Sequence, residues 1–241
     1  MAAVTHAVAT VSTLNVTSYA AAAFTPVAND LLVGFVIASQ TQALAATLVT
    51  DSGITFTLIG RATYRTTLDS VYVYIANSLA TAVSMIATWD CTEDPATGCV
   101  IIIERVSGMT RTGSIAVRTG QIPLQNEQAA AATPTLTFAS AVLTGNPTLG
   151  AVGNSTNPSG LTVPTGWTVA ATSGYATPVT GSHVVFRNSG FTGTSMPWGS
   201  TSATAFGAIG IELDTSSPPP LADKTRQIVF PPHAHYRANR F

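Results

Sequence analysis

One series of short motifs runs along this chain twice, in the same order, and that duplication limits the fold more than any other feature. Asn29-Asp-Leu-Leu-Val-Gly34 in the first half answers to Asn146-Pro-Thr-Leu-Gly-Ala151 in the second. Asp51-Ser-Gly-Ile-Thr-Phe56-Thr57 is followed, a half later, by Pro164-Thr-Gly-Trp167-Thr168. Val71-Tyr-Val-Tyr-Ile-Ala-Asn77-Ser78 matches His183-Val-Val-Phe-Arg-Asn188-Ser189, and Met85-Ile-Ala-Thr-Trp89 matches Met196-Pro-Trp198. The series closes with Ile101-Ile-Ile-Glu104 and Ile209-Gly-Ile-Glu212. Phe56 and Trp167 lie 18 and 19 residues before Tyr74 and Phe186, and Trp89 and Trp198 lie 15 and 14 residues before Glu104 and Glu212. Shared order and shared spacing together indicate one structural unit used twice.

The unit is built of strands. Helical periodicity is nearly absent, and period-two alternation recurs instead. Val71, Val73 and Ile75 share one face, with Tyr72 and Tyr74 on the other. Val100-Ile-Ile-Ile103 is a continuous apolar run, the pattern of a strand covered on both faces. Threonines such as Thr55, Thr57, Thr66 and Thr67 suit half-exposed strand positions. The alanine runs 20–23 and 129–132 are too short for stable helices. Each half offers about five strands, punctuated by Gly, Pro, Asn and Asp. Two such sheets, packed face to face, make a β-sandwich. The expected architecture is all-β: a jelly-roll-like β-sandwich of two related halves, about 1–110 and 111–214, followed by an extended C-terminal arm over 215–241.

Composition narrows the function. The 241 residues are 46% apolar and only 9% charged. A surface so poor in charge suits a subunit packed against neighbours, and a homo-oligomer is expected. Residues 1–214 carry six arginines against ten acidic residues, a net of −4, whereas 215–241 carry a net of +3. So few basic residues, with no basic stripe, speak against nucleic-acid binding. The longest strongly apolar stretch, 31–38, is far short of a membrane span, so no membrane partner is expected. The N-terminus lacks a basic segment followed by an apolar one, so no signal peptide is expected, and the glycosylation-like tripeptides at Asn15 and Asn154 read as chance.

Catalytic motifs are missing: neither a nucleophile elbow, a zinc-protease helix, a P-loop nor a dinucleotide fingerprint is present. Glu104 and Glu212 sit at matching points of the repeat, where two carboxylates brought together would resemble a glycosidase acid–base pair. The plainer reading has each paired with an arginine or placed at a strand end. Arg105 is not the obvious partner of Glu104, because neighbours on a strand point to opposite faces. His233 and His235 could grip a metal, but no acid or thiol nearby completes a ligand set, so neither metal nor cofactor is expected. Cys91 and Cys99 flank a turn-forming sequence and are either bridged across a hairpin or, the favoured reading, buried as free thiols. Trp89, Trp167 and Trp198 either stack on sugar rings or, more in keeping with their repeat-matched positions, fill the core together with Phe56, Val73, Val185, Ile102 and Ile209.

The series 29–33, 71–74, 164–168 and 207–212 resembles phage-encoded virion proteins of jelly-roll or concanavalin-like sandwich type. The resemblance covers most of residues 25–214. It implies a non-enzymatic structural role in the virion, as a capsid decoration or cement subunit or a tail component, with the major capsid protein or tail proteins as partners. The competing implication is a receptor- or glycan-binding module of a tail or fibre. The arm lies outside the resemblance. Thr215-Ser-Ser-Pro-Pro-Pro220 reads as an extended spacer, and the residues beyond it expected to contact a partner are Arg226, Phe230, Tyr236, Arg237, Arg240 and Phe241.

Overall fold

A computed structural model describes residues 1–39, 46–91, 96–126, 133–155, 161–199 and 205–216. Within these the chain is all-β. The first half contributes β1 (Ala3–Ser12), β2 (Ser18–Ala20), β3 (Leu31–Ser39), β4 (Thr47–Thr50), β5 (Thr57–Tyr64), β6 (Asp69–Asn77), β7 (Ala87–Asp90) and β8 (Gly98–Ser107). The second contributes β9 (Leu124–Gln125), β10 (Thr135–Thr137), β11 (Thr148–Asn154), β12 (Thr168–Ala176), β13 (Val179–Arg187), β14 (Ser195–Pro197) and β15 (Phe206–Glu212). A single 3-10 turn, Gly113–Ala116, lies between them.

The two halves repeat one topology. The first forms a five-stranded sheet in the order β1-β8-β3-β6-β5, the second a five-stranded sheet β9-β15-β11-β13-β12. A small sheet, β2-β7-β4, belongs to the first half, and its counterpart β10-β14 to the second. The place of β4 is taken in the second half by Thr162, which bridges Gly199. All pairings are antiparallel.

The molecule has four layers. The sequence predicts two facing sheets; the small sheets add an outer layer on each side. Val33, Phe35, Ile37, Val73, Ile75 and Ile102 from the first half meet Leu149, Ala151, Val184, Phe186 and Ile209 from the second in a shared central core. The alternate residues, Leu32, Val36, Tyr72, Tyr74, Ile101 and Ile103, turn outward under the first small sheet, against Leu48 and Trp89. Val152, Val185 and Ala208 do the same under the second, against Leu136, Met196 and Trp198. This explains the unbroken apolar run of β3, in which every residue is buried. A strand covered on both faces has no solvent side on which to place polar residues.

The register sets the true equivalences. A bulge between Leu58 and Gly60 in β5 matches one between Val169 and Ala171 in β12. Aligning them places Tyr74 with Val185, Phe35 with Ala151 and Gly34 with Gly150. Both glycines admit the small sheet: a Cβ on Gly34 would stand 2.6 Å from Leu48, and one on Gly150 2.5 Å from Met196. The same alignment corrects the sequence-based match of the two glutamates by one residue. Leu32 pairs with Arg105, and its counterpart Thr148 pairs with Glu212. Glu212 is therefore the equivalent of Arg105, and Glu104 that of Ile211. A one-residue slip moves a side chain to the other face, so Glu104 faces the central core and Glu212 faces outward.

Two tyrosines lock the halves together reciprocally. Tyr64 ends β5 and Tyr175 stands at the equivalent place in β12, opposite Asp69 and Thr180 respectively. The Tyr64 ring reaches into the second half, where a Cβ on Gly153 or Gly207 would come within 2.7 Å of it. The Tyr175 ring reaches into the first half over Gly98 and bonds the Ser39 hydroxyl at 2.6 Å. Thr215 and Ser216, the last two described residues, are hydrogen-bonded to the body. Thr215 Oγ1 donates to Asn146 Oδ1 at 2.8 Å, and Arg111 Nη2 donates to the Ser216 hydroxyl at 2.9 Å.

Candidate functional site

The residues singled out in the arm, Arg226, Phe230, Tyr236, Arg237, Arg240 and Phe241, lie outside the described residues, as do His233 and His235. The two glutamates are kept apart, on opposite faces of different sheets, and each has its own partners. Glu104, fully buried, accepts a 2.7 Å hydrogen bond from His6 Nδ1 on the edge strand β1. Burial pushes the Glu104 carboxyl above its ordinary range, opposed by His6, and the hydrogen bond to Glu104 raises the His6 imidazole. Glu212, also fully buried, accepts from Arg118 Nη1 at 2.8 and 3.1 Å, Asn146 Nδ2 at 2.7 Å, Gln121 Nε2 at 2.9 Å and the Leu143 amide at 3.0 Å. A carboxylate with that many donors has no free lone pair for proton transfer. The acid–base pair that the repeat suggested is not assembled.

Among the described residues, no three His, Cys, Asp or Glu side chains gather as a metal site. Cys91 and Cys99 are not joined by a disulfide; both are buried beneath the first small sheet, where the Cys91 thiol donates to the Thr17 carbonyl at 3.3 Å. Burial holds the Cys99 thiol well above its ordinary value, the opposite of an activated nucleophile. Trp89 and Trp198 are fully buried. Trp167, expected in the core, is only half-buried. It follows the Pro164–Trp167 turn, in which Gly166 has a φ of 83°, and rests edge-on against Phe191 with ring centroids 5.0 Å apart.

Trp167 stands at the end of a row that crosses the outer face of the second large sheet. Thr168 pairs with Phe186, so Arg187 lies beside the turn that ends at Trp167, and a Cβ on Gly166 would stand 3.4 Å from its Nη1. Arg187 pairs with Thr148, and Thr148 with Glu212. The row reads Trp167, Arg187, Thr148, Glu212. The equivalent row in the first half, fixed by the same pairings, reads Phe56, Ala76, Leu32, Arg105. Phe56, Ala76 and Leu32 are all buried. The first half thus has apolar side chains where the second has Arg187 and Thr148, and it sets Arg105 where the second has Glu212. Thr148 is fully buried, and its hydroxyl makes no hydrogen bond.

Arg187 is held without being neutralised. Its Nε donates to the Ser189 carbonyl at 3.1 Å, and no carboxylate among the described residues lies within ion-pair distance. Sequence reasoning singled out Trp167 but passed over Arg187; the signal was the polar side chain in an otherwise apolar strand, Val184-Val-Phe-Arg187. Comparison with protein-family models, with curated proteins and with solved structures yields no match.

Proposed function

We propose that this chain is a structural, non-enzymatic subunit of a bacteriophage particle, acting as a capsid decoration or cement protein. The observation that carries the reading is the strand pairing of each half. In the first half β1 pairs with β8, β2 with β7 and β3 with β6, and the chain after β4 folds back on it through the bridge Val49–Thr55. This order of pairings supports a jelly-roll-like reading, a connection used by virus capsid and lectin domains, with the departure that β5 joins β6 in the large sheet and not β4 in the small one. The second half repeats it with β9 and β15, β10 and β14, and β11 and β13. Three further features support the reading: 9% charged residues, buried glutamates each tied to a partner, and a central core shared between the halves. The basic arm supplies a means of contacting a neighbouring subunit, its +3 charge opposing the body's −4.

The test is incorporation. The chain truncated after Ser216 should keep the thermal midpoint of the full chain and lose its place in purified particles, read by quantitative mass spectrometry. Particles carrying the truncated chain at full copy number would remove the arm from the assembly. Absence of the full chain from particles would remove the virion reading altogether. A second reading, a glycan-binding module of a tail or fibre, is favoured by one observation, the half-buried Trp167 beside Arg187. Immunogold labelling of heads or of tails separates the two.

A further inference from the structure

We infer that the corner formed by Trp167 and Arg187 binds a carboxylated sugar residue. The inference does not depend on where in a particle the chain resides. The two halves serve as each other's control. The first half fills the same row with Phe56, Ala76 and Leu32, so nothing in the topology requires a cation at 187 or a hydroxyl at 148. A cation that the scaffold does not demand, left without a carboxylate among the described residues, points to an anionic ligand.

Arg187 differs from the other arginines of the described body. Arg65, Arg105, Arg111 and Arg118 each face a carboxylate, of Asp69, Asp30, Asp214 and Glu212 respectively. Arg61 lies over the Tyr72 ring and donates to Ser70. Arg187 spends its Nε on Ser189, and its Nη donors make no hydrogen bond among the described residues. The guanidinium is positioned by two turns. Cβ atoms on Gly166 and Gly190, both at positive φ, would stand 3.4 and 3.5 Å from its nitrogens. A fixed, forked pair of donors matches a carboxylate.

Trp167 supplies the second half of the recognition. Its ring is braced by Phe191, which in turn packs against Phe138. An indole held at the surface offers an apolar face to the C–H groups of a pyranose. The two turns beside the guanidinium are exposed at Thr165, Gly166 and Gly190 and carry no acidic side chain. The charge count selects the ligand class. Glu212 holds the Arg118 guanidinium, leaving one uncommitted cation for one carboxylate. A polyphosphate or nucleic acid would call for several.

The test uses the full chain and two variants that copy the first half, Arg187→Ala after Ala76 and Trp167→Phe after Phe56, which preserve what the fold accepts. The probes are trigalacturonate and sialyllactose as two sources of a pyranose carboxylate, with lactose as the neutral control. Because Trp89 and Trp198 are fully buried, a ligand-dependent change in tryptophan fluorescence reports Trp167. The expected result is binding of at least one acidic probe, no binding of lactose, and a weakening of about tenfold or more in Arg187→Ala. Trp167→Phe should weaken binding, read by protein-observed NMR because that variant loses the fluorophore. Which acidic probe binds distinguishes uronate polymers from sialylated glycans. Failure of both acidic probes at millimolar concentration overturns the inference, as does equal binding of lactose or unchanged affinity in Arg187→Ala.

Discussion

Replacing Thr148 with valine should stabilise this protein. Thr148 sits in the middle of β11, fully buried, between Arg187 on one side and Glu212 on the other. Its hydroxyl makes no hydrogen bond, although Glu212 beside it collects five. A buried hydroxyl without a partner forfeits its hydration, a penalty of about 1–3 kcal/mol. Valine has the same branched shape and β preference and puts a methyl group where the oxygen was, so the penalty is lifted without a new cavity. A gain of about 1–2 kcal/mol follows, equivalent to about 2–8 °C in the thermal midpoint of a body of this size. The mirror experiment lies in the first half. Leu32→Thr puts a hydroxyl into the equivalent apolar row and removes buried methyl groups, and should cost about 2–4 kcal/mol. Urea unfolding with the m-value monitored gives both numbers, since a change in midpoint at constant m is a change in stability. A Thr148→Val variant that is neutral or less stable would refute the reasoning, by showing that the hydroxyl has a partner in solution.

The tryptophans should separate by burial. Trp198→Ala is expected to cost about 3–5 kcal/mol, and Trp167→Ala less, about 2–3 kcal/mol, since part of its ring is already exposed; equal values in denaturant titrations would contradict the layering. Stability should fall as pH rises through the range set by His6 and Glu104. Both groups have folded values raised above the ordinary 6.5 and 4.5, so the folded state holds protons that the unfolded chain releases. Their contribution is complete below 4.5 for Glu104 and below 6.5 for His6, and is lost as pH climbs through each raised value. His6→Gln should flatten the upper part of that profile and, after allowing for the exposure of the ring, cost about 1–3 kcal/mol on the acid side; an unchanged profile would remove the pair from the account. Both cysteines should resist a thiol reagent in the native state and react after denaturation, measured by the absorbance of the released thiolate.

The strands and their duplication are legible in the sequence because they depend on local pattern. The alternation Val71, Tyr72, Val73, Tyr74, Ile75 declares two faces, and both prove buried. The second layer is less visible. β2, β10 and β14 are three residues each, too short to show a period of two, and only the unbroken apolar run of β3 hints that something covers its outer face. The one-residue error in matching Glu104 to Glu212 has a definite cause. Similar isoleucine-rich strings align by identity, whereas which face a residue occupies is settled by pairing with β3 or β11, and no string comparison contains that register. Trp167 is the equivalent of Phe56, as the motifs indicate, yet its exposure depends on Phe191, which lies outside the motif. Arg187 is opposite Ala76 when the Asn77-Ser78 and Asn188-Ser189 ends of the motifs are aligned, but that it lacks a carboxylate partner among the described residues is visible only in the structure.

The reciprocal seating of Tyr64 and Tyr175 is the contact expected of two identical molecules meeting about a two-fold axis. On one chain that symmetry is no longer compulsory. In a homodimer any substitution appears on both partners, so an arginine at position 187 would be present twice or not at all. Joined end to end, the copies can differ: the first carries Phe56, Ala76, Leu32 and Arg105 along its row, the second Trp167, Arg187, Thr148 and Glu212. The partners also cannot dilute apart, because the link holds each at an effective concentration in the millimolar range or above. Such a molecule presents two unlike faces on opposite sides of a slab, in a fixed ratio of one to one, and any ligand of the Arg187 corner binds with a stoichiometry of one per chain.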